Sequence, residues 1–382
     1  MLLWQSSRAA LPGLRSVSTL SNGAAAEPLR ALAGEIDQLG LDPVALALDA
    51  EITRRAGLYL EGLEAYRRHP FRRSAAEMPV IWSEGATRLL DYAPGVRGPV
   101  VLVVPSLINR WYVLDLLPER SFLSHLALHG LRPLVVDWGE PGRAERGFDL
   151  DDYIALRLDA AFAAAADLSP SPVAVLGYCM GGLLALALAL RRREVARLVL
   201  LAVPWDFHAE RATQARLLGS VADWLPAVCG TSGTVPVEIV QGLFFLLDPF
   251  SAERKYIRFA ALGQTSAAAR DFVALEDWIN DGVALPLAVM RNCLRSWYGE
   301  NAPARGRWRV AGQLVRPAEL RRPALVVAPG SDHIVPPRSA AALAAMLGNA
   351  EIMRPPLGHV GMMAAARAPD LLWTPLAQWL NA

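Results

Sequence analysis

Short unbroken apolar runs recur along this chain between longer stretches in which apolar residues return every three to four positions. Pro99-Val-Val-Leu-Val-Val104, Pro172-Val-Ala-Val-Leu176 and Pro323-Ala-Leu-Val-Val-Ala328 are bounded by Gly, Ser or Pro. Their lack of alternation predicts parallel strands buried on both faces. Leu200 to Phe207 closes another strand, and Ala350 to Arg354 forms the last one. Between them, Leu183 to Leu190, ending in three arginines, and Ser339 to Leu347 read as helices. Upstream, Leu29, Leu32, Ile36 and Leu39, then Ile52, Leu58, Leu60 and Leu63, mark two amphipathic helices. The strand rhythm stops after Val203 and returns at Pro323. The pattern predicts an α/β fold with a mostly parallel sheet and helices on both faces. Residues 1–24 are expected as a disordered tail, 25–75 as N-terminal helices, and 76–202 as the first part of the core. A helical cap is expected at 203–320, after the sixth strand, and 321–382 completes the core.

Chemistry concentrates at one strand-to-helix turn, Val175-Leu-Gly-Tyr-Cys-Met-Gly-Gly182. A glycine two residues either side of Cys179 lets the flanking elements approach closely, and the turn forces the central residue into a strained backbone, as in a nucleophile elbow. The helix start behind it favours a thiolate. Asp332 lies in the loop after the strand at 323–328, and His359, between Gly358 and Gly361, follows the last strand. Nucleophile, acid and histidine in that order resemble the α/β-hydrolase arrangement, which assigns Cys179, Asp332 and His359 as candidate catalytic residues. His333 is a candidate hydrogen-bonding neighbour of the acid or a surface residue. Two backbone N–H groups are needed to hold a developing oxyanion. Met180 supplies one and the loop after Val104 the other, at Ile108 with Asn109 as the near alternative. Cys229 and Cys293, outside any such turn, read as buried structural cysteines.

Composition narrows the class. The chain has 382 residues, 53% of them apolar, enough to bury one large core. A net charge of +1 gives no reason to expect nucleic acid as a partner. Three cysteines and no CxxC pair speak against a disulfide framework and point to a reducing cytoplasm. No histidine cluster has metal spacing, so neither a metal nor a cofactor is expected. Mean hydropathy is +0.26, yet no apolar run reaches the roughly 18 residues of a transmembrane segment. Residues 1–24 carry Arg8 and Arg15 and no acid, like a targeting peptide, but lack a continuous apolar stretch. Trp205, Trp224, Phe244, Phe245, Trp278 and Trp297 fall in the expected cap, either as its own core or as an apolar path for acyl chains.

Pro105-Ser-Leu-Ile-Asn-Arg-Trp-Tyr-Val-Leu-Asp-Leu-Leu-Pro-Glu-Arg-Ser-Phe122, Val135-Val-Asp-Trp-Gly139, the Cys179 turn, Asp332-His-Ile and Gly358-His359 follow one another over about residues 78–382. Together they resemble the poly(3-hydroxyalkanoate) synthases. The resemblance implies an α/β-hydrolase fold and an acyltransferase that loads (R)-3-hydroxyacyl groups from CoA thioesters onto Cys179 and extends a polyester chain. It also implies a cytoplasmic enzyme at polyester granules and, from the short N-terminal part, a two-subunit type with a separate helical partner; the apolar composition points to a homo-oligomer or to binding at a polymer surface. Two other readings stay open on the residues alone. A thiol-dependent hydrolase, acting as polyester depolymerase or acyl-CoA thioesterase, would use the same three residues and admit water; a granule scaffold would need none of them.

Overall fold

The computed structural model describes residues 8–13, 26–74, 77–245 and 248–382. The chain forms two compact units, Met1–Phe71 with Asp248–Val273, and Arg72–Leu247 with Ala274–Ala382. Residues 248–273, expected within the cap, thus belong with the N-terminal helices.

The first unit is helical. Its helices Ala26–Leu39 and Leu41–Arg68 realise the two amphipathic stretches read from the sequence. Residues 8–13, inside the expected disordered tail, are helical instead, because Leu11 is buried against Ile36 and Ala45; the rest of 1–24 lies outside the described residues. Helix Ser251–Ala260 packs on Leu41–Arg68 through aromatic edges, Tyr59 to Tyr256 at 5.7 Å and Tyr66 to Tyr256 at 5.8 Å, while Phe259 stacks on Phe272 at 4.3 Å.

The second unit holds the sheet expected from the apolar runs. Its strands are β1 (Val80–Glu84), β2 (Thr87–Asp91), β3 (Val100–Val104), β4 (Arg132–Asp137), β5 (Ala174–Tyr178), β6 (Leu198–Leu201), β7 (Ala324–Val327) and β8 (Ala350–Met353). They lie in the order β1-β2-β4-β3-β5-β6-β7-β8. All neighbours are parallel except at β2, which runs antiparallel to β1 and β4. Strands β3, β6 and β7 are buried at every position, as unalternating apolar runs require. The core spreads over both sheet faces, with Leu102, Leu134, Leu184 and Leu200 among the inaccessible residues. β5 begins two residues later than the sequence implies and runs through Gly177 to Tyr178, since the helix behind it must cross at that glycine.

Pairing between β7 and β8 continues past the strands. Ala328 N–H donates to Met353 O at 2.9 Å, Gly330 to Pro355 O at 2.9 Å and Ser331 to Leu357 O at 3.0 Å. The two loops that follow these strands are therefore joined along their length. Between β6 and β7 this unit contains helices Ala212–Val221, Leu225–Cys229, Val237–Phe245 and Leu287–Asn292 and two short two-stranded ribbons. Trp205, Trp278 and Trp297 are buried there as core, whereas Trp224 is 72% exposed. No helix among the described residues is long and apolar enough to cross a membrane.

Candidate active site

Cys179 caps the start of helix Met180–Arg191 with φ 54° and ψ −126°, a conformation that costs a side-chain-bearing residue about 1–3 kcal/mol. What holds it there is close packing of the backbone around the turn. Its N–H donates to Leu201 O on β6 at 2.8 Å. A Cβ on Gly177 would lie 2.4 Å from the Gly182 Cα, and one on Gly181 would lie 2.2 Å from the Val104 carbonyl oxygen. The elbow thus exists because three glycines let β5, its helix and β3 meet around the thiol.

Asp332 and His359 come from the joined loops after β7 and β8. The His359 Nδ1 lies 2.7 Å from Asp332 Oδ2, and the other carboxylate oxygen accepts the N–H groups of Ile334 and Val335, each at 2.8 Å. A carboxylate is acceptor only, so Nδ1 carries the hydrogen and Nε2 is left to face the thiol. Burial alone would push the His359 pKa down. The charge of the Cys179 sulfur, the Asp332 hydrogen bond, a hydrogen bond with the sulfur and the Asp332 charge outweigh it and raise the pKa to about 10. The structure therefore brings together all three residues read from the sequence.

The remaining candidates are placed as follows. Met180 opens the helix, where the first N–H groups have no acceptor within it. Ile108 borders the same cavity as Cys179, and its N–H donates to Ser106 Oγ at 3.2 Å. Asn109 makes an isolated antiparallel bridge with Gly282. His333 is exposed and sits at the cavity, while its neighbour Asp332 is occupied by His359 and backbone.

The cavity over Cys179, about 110 Å³, is mostly apolar, with Leu218, Phe244 and Trp297 in its wall. It also contains groups that sequence reasoning missed. Tyr298 lines it, with a phenol pKa pushed up by burial and then by the Cys179 and Cys293 charges. Cys293 lines it too, its thiol raised to about 12 by burial. Tyr178, beside the nucleophile candidate, tilts its ring over His359 at 5.2 Å and donates its hydroxyl to the His359 carbonyl at 3.2 Å. Only the position of Tyr178 within the turn hinted at this; nothing in the pattern around residues 293–298 did.

A family model described as the alpha/beta hydrolase fold matches residues 99–366. Among curated proteins, the poly(3-hydroxyalkanoate) polymerase subunit PhaC of Haloferax mediterranei is 29% identical over 309 residues, covering 78% of this chain and 63% of that protein. The subunit of the same name from Allochromatium vinosum is 29% identical over 316 residues, covering 79% and 87%. Among solved structures, a non-heme bromoperoxidase BpoC from Mycobacterium tuberculosis aligns with TM-score 0.52 and 17% identity, over 81% of this chain and 98% of that one. The monoacylglycerol lipase of Paleococcus ferrophilus aligns with TM-score 0.51 and 15% identity, over 77% and 98%. At such identities the structural likeness is one of fold.

Proposed function

Because this chain belongs to the alpha/beta hydrolase fold family, with a cysteine at the elbow, we propose that it is an acyltransferase that polymerises (R)-3-hydroxyacyl-CoA into polyester through an acyl-cysteine. One observation carries the reading. A thiol stands at a helix start, coupled by hydrogen bond and charge to a buried histidine that a carboxylate holds at 2.7 Å. Its likeness to PhaC subunits supports the choice of substrate.

The Cys179 sulfur adds to the thioester carbonyl, whose oxygen turns toward the Met180 N–H and toward the Ile108 N–H, the latter giving up its bond to Ser106 Oγ. With its pKa near 10, His359 already carries the proton that this step needs. The carbon–sulfur bond to CoA breaks, the CoA sulfur takes that proton, and an acyl-Cys179 remains beside a neutral imidazole. His359 Nε2 then removes the proton from an incoming 3-hydroxyl, whose oxygen adds to the acyl carbon and expels the Cys179 sulfur. An ester is formed and the imidazolium is restored. Exchange of one thioester for another loses little free energy, so the acyl group stays activated until the hydroxyl arrives. Asp332 fixes the ring tautomer and supports its charge. We place this activity in the cytoplasm at a polyester surface, where the exposed Leu217, Trp224 and Val228 favour self-association or a helical partner subunit.

The test is incubation of the chain with (R)-3-hydroxybutyryl-CoA beside Cys179→Ala, following CoA and the acyl group. CoA release with polyester, absent in the variant, supports the synthase. Release with free hydroxy acid replaces it by a thioesterase, and no release even with a helical subunit present refutes both.

A further inference from the structure

The loop that carries Ile108 is gripped from outside by a segment far away in sequence. At its upstream end it leaves β3, and Trp138 Nε1 donates to Pro105 O at 3.0 Å. Downstream, the Asp281 carboxylate takes one residue on each side of Trp111: Arg110 Nε donates to Oδ1 and the Tyr112 hydroxyl to Oδ2, both at 2.8 Å. The residues next to Asp281 follow the same track. Gly282 bridges Asn109, Val283 N–H donates to Ile108 O at 3.4 Å, and Trp278 Nε1 donates to Arg110 O at 2.8 Å. Gly282 is itself backed by the helix Val237–Phe245, since a Cβ there would fall 2.3 Å from Val237 Cγ2.

We propose that Asp281 is a positioning residue for acyl transfer, holding the Ile108 loop at the distance from Cys179 at which its N–H groups meet the oxyanion. The proposal rests on the reading that this loop polarises the acyl carbonyl. Oxyanion donors work only over about 2.7–3.1 Å from the developing charge. Ile108 lies between the Trp138 bond upstream and the Asp281 carboxylate downstream, and that carboxylate holds two loop side chains at once, Arg110 and Tyr112. Arg110 has a second acid, Glu140 at 2.7 Å, so the guanidinium stays paired without Asp281 but is drawn toward the exposed side. Tyr112 then loses its acceptor on the segment 278–283.

The experiment uses the full chain and two probes that do not depend on the natural substrate. p-Nitrophenyl butyrate reports acylation of Cys179 by its burst, which requires a polarised carbonyl; iodoacetamide reports the thiol alone. In Asp281→Ala the burst rate constant at saturating ester falls by about 10–100-fold, the cost of an oxyanion donor misplaced by a fraction of an ångström to one ångström. KM changes little and the alkylation rate holds. Asp281→Asn, which keeps an oxygen for Tyr112, retains most of the activity, and adding Tyr112→Phe to Asp281→Ala costs nothing further. A burst within about threefold of the parent chain overturns the assignment, as does an equal fall in alkylation, which would mean general loosening. The polyester reading fails separately: a parent chain with a normal ester burst but no reaction with (R)-3-hydroxybutyryl-CoA sinks that reading and leaves Asp281 assigned. A parent chain with no burst overturns the assignment itself.

Discussion

Replacing Asp332 by Asn tests the site at its most constrained point. The side chain is fully buried and keeps its volume on substitution. An amide oxygen still accepts from Ile334 and Val335, but the amide nitrogen then meets the His359 Nδ1 hydrogen, donor against donor. A hydrogen bond to a charged group is lost, worth about 1.5–3 kcal/mol. The ring relieves the clash by moving its hydrogen to Nε2, the wrong tautomer for taking a proton from a hydroxyl, for which the analogous serine-enzyme change costs about 10⁴ in rate. The pH behaviour has a definite sign. His359 has a raised pKa, so its imidazolium is fully present at neutral pH and disappears as pH rises through about 10. Removing the Asp332 bond and charge leaves burial opposed by the Cys179 charge and hydrogen bond alone, and the midpoint falls from about 10. NMR titration of the imidazole, assigned by its loss in His359→Gln, measures this directly, with CoA release from (R)-3-hydroxybutyryl-CoA as the rate. A variant whose His359 still titrates near 10, or which keeps a tenth of the parent rate, refutes the role given to Asp332.

Three further expectations concern the elbow and the thiols. Cys179→Gly removes acyl transfer yet raises stability by about 1 kcal/mol, because glycine relieves the positive φ at a smaller entropic cost; a lower melting temperature than the parent contradicts the strain. Gly182→Ala places a methyl 2.0 Å from Val203 Cγ2 and destabilises by about 1–3 kcal/mol in urea titration, and an unchanged midpoint counts against the packing described. Burial raises both Cys229 and Cys293, the latter to about 12, so at pH 8 a mass spectrum after brief iodoacetamide treatment shows one label, on Cys179. Labelling of Cys293 under those conditions would contradict its burial.

The parts of this molecule that could be read from its sequence are those where one physical demand acts alone. β3 and β7 are apolar without alternation because both faces are covered, and the turn at Cys179 needs glycine where backbones touch. Asp332 and His359 were legible by their order and by the strand ends that carry them. The limits of β5 were misplaced because Gly177 reads locally as a breaker, while in the fold it is a strand residue crossed by a helix. Segment 248–273 gave no sign that it joins the N-terminal helices, since an amphipathic face states that it will be buried but not against what. Tyr298 and Cys293 reach the cavity, and Asp281 reaches Arg110 and Tyr112, by tertiary packing over more than a hundred residues, which no local pattern encodes.

The continued pairing beyond β7 and β8 makes the acid and the base one short-range element. Asp332 and His359 stand 27 residues apart on two loops laced together, whereas Cys179 is brought to them across the whole middle of the chain. Such a segment opens and closes as a cooperative piece in hydrogen exchange. Fluctuation of the last strand pair would strip the thiol of both partners in one event and leave the elbow intact, so the proposed acyl transfer would be lost at a lower temperature than the one at which the core melts.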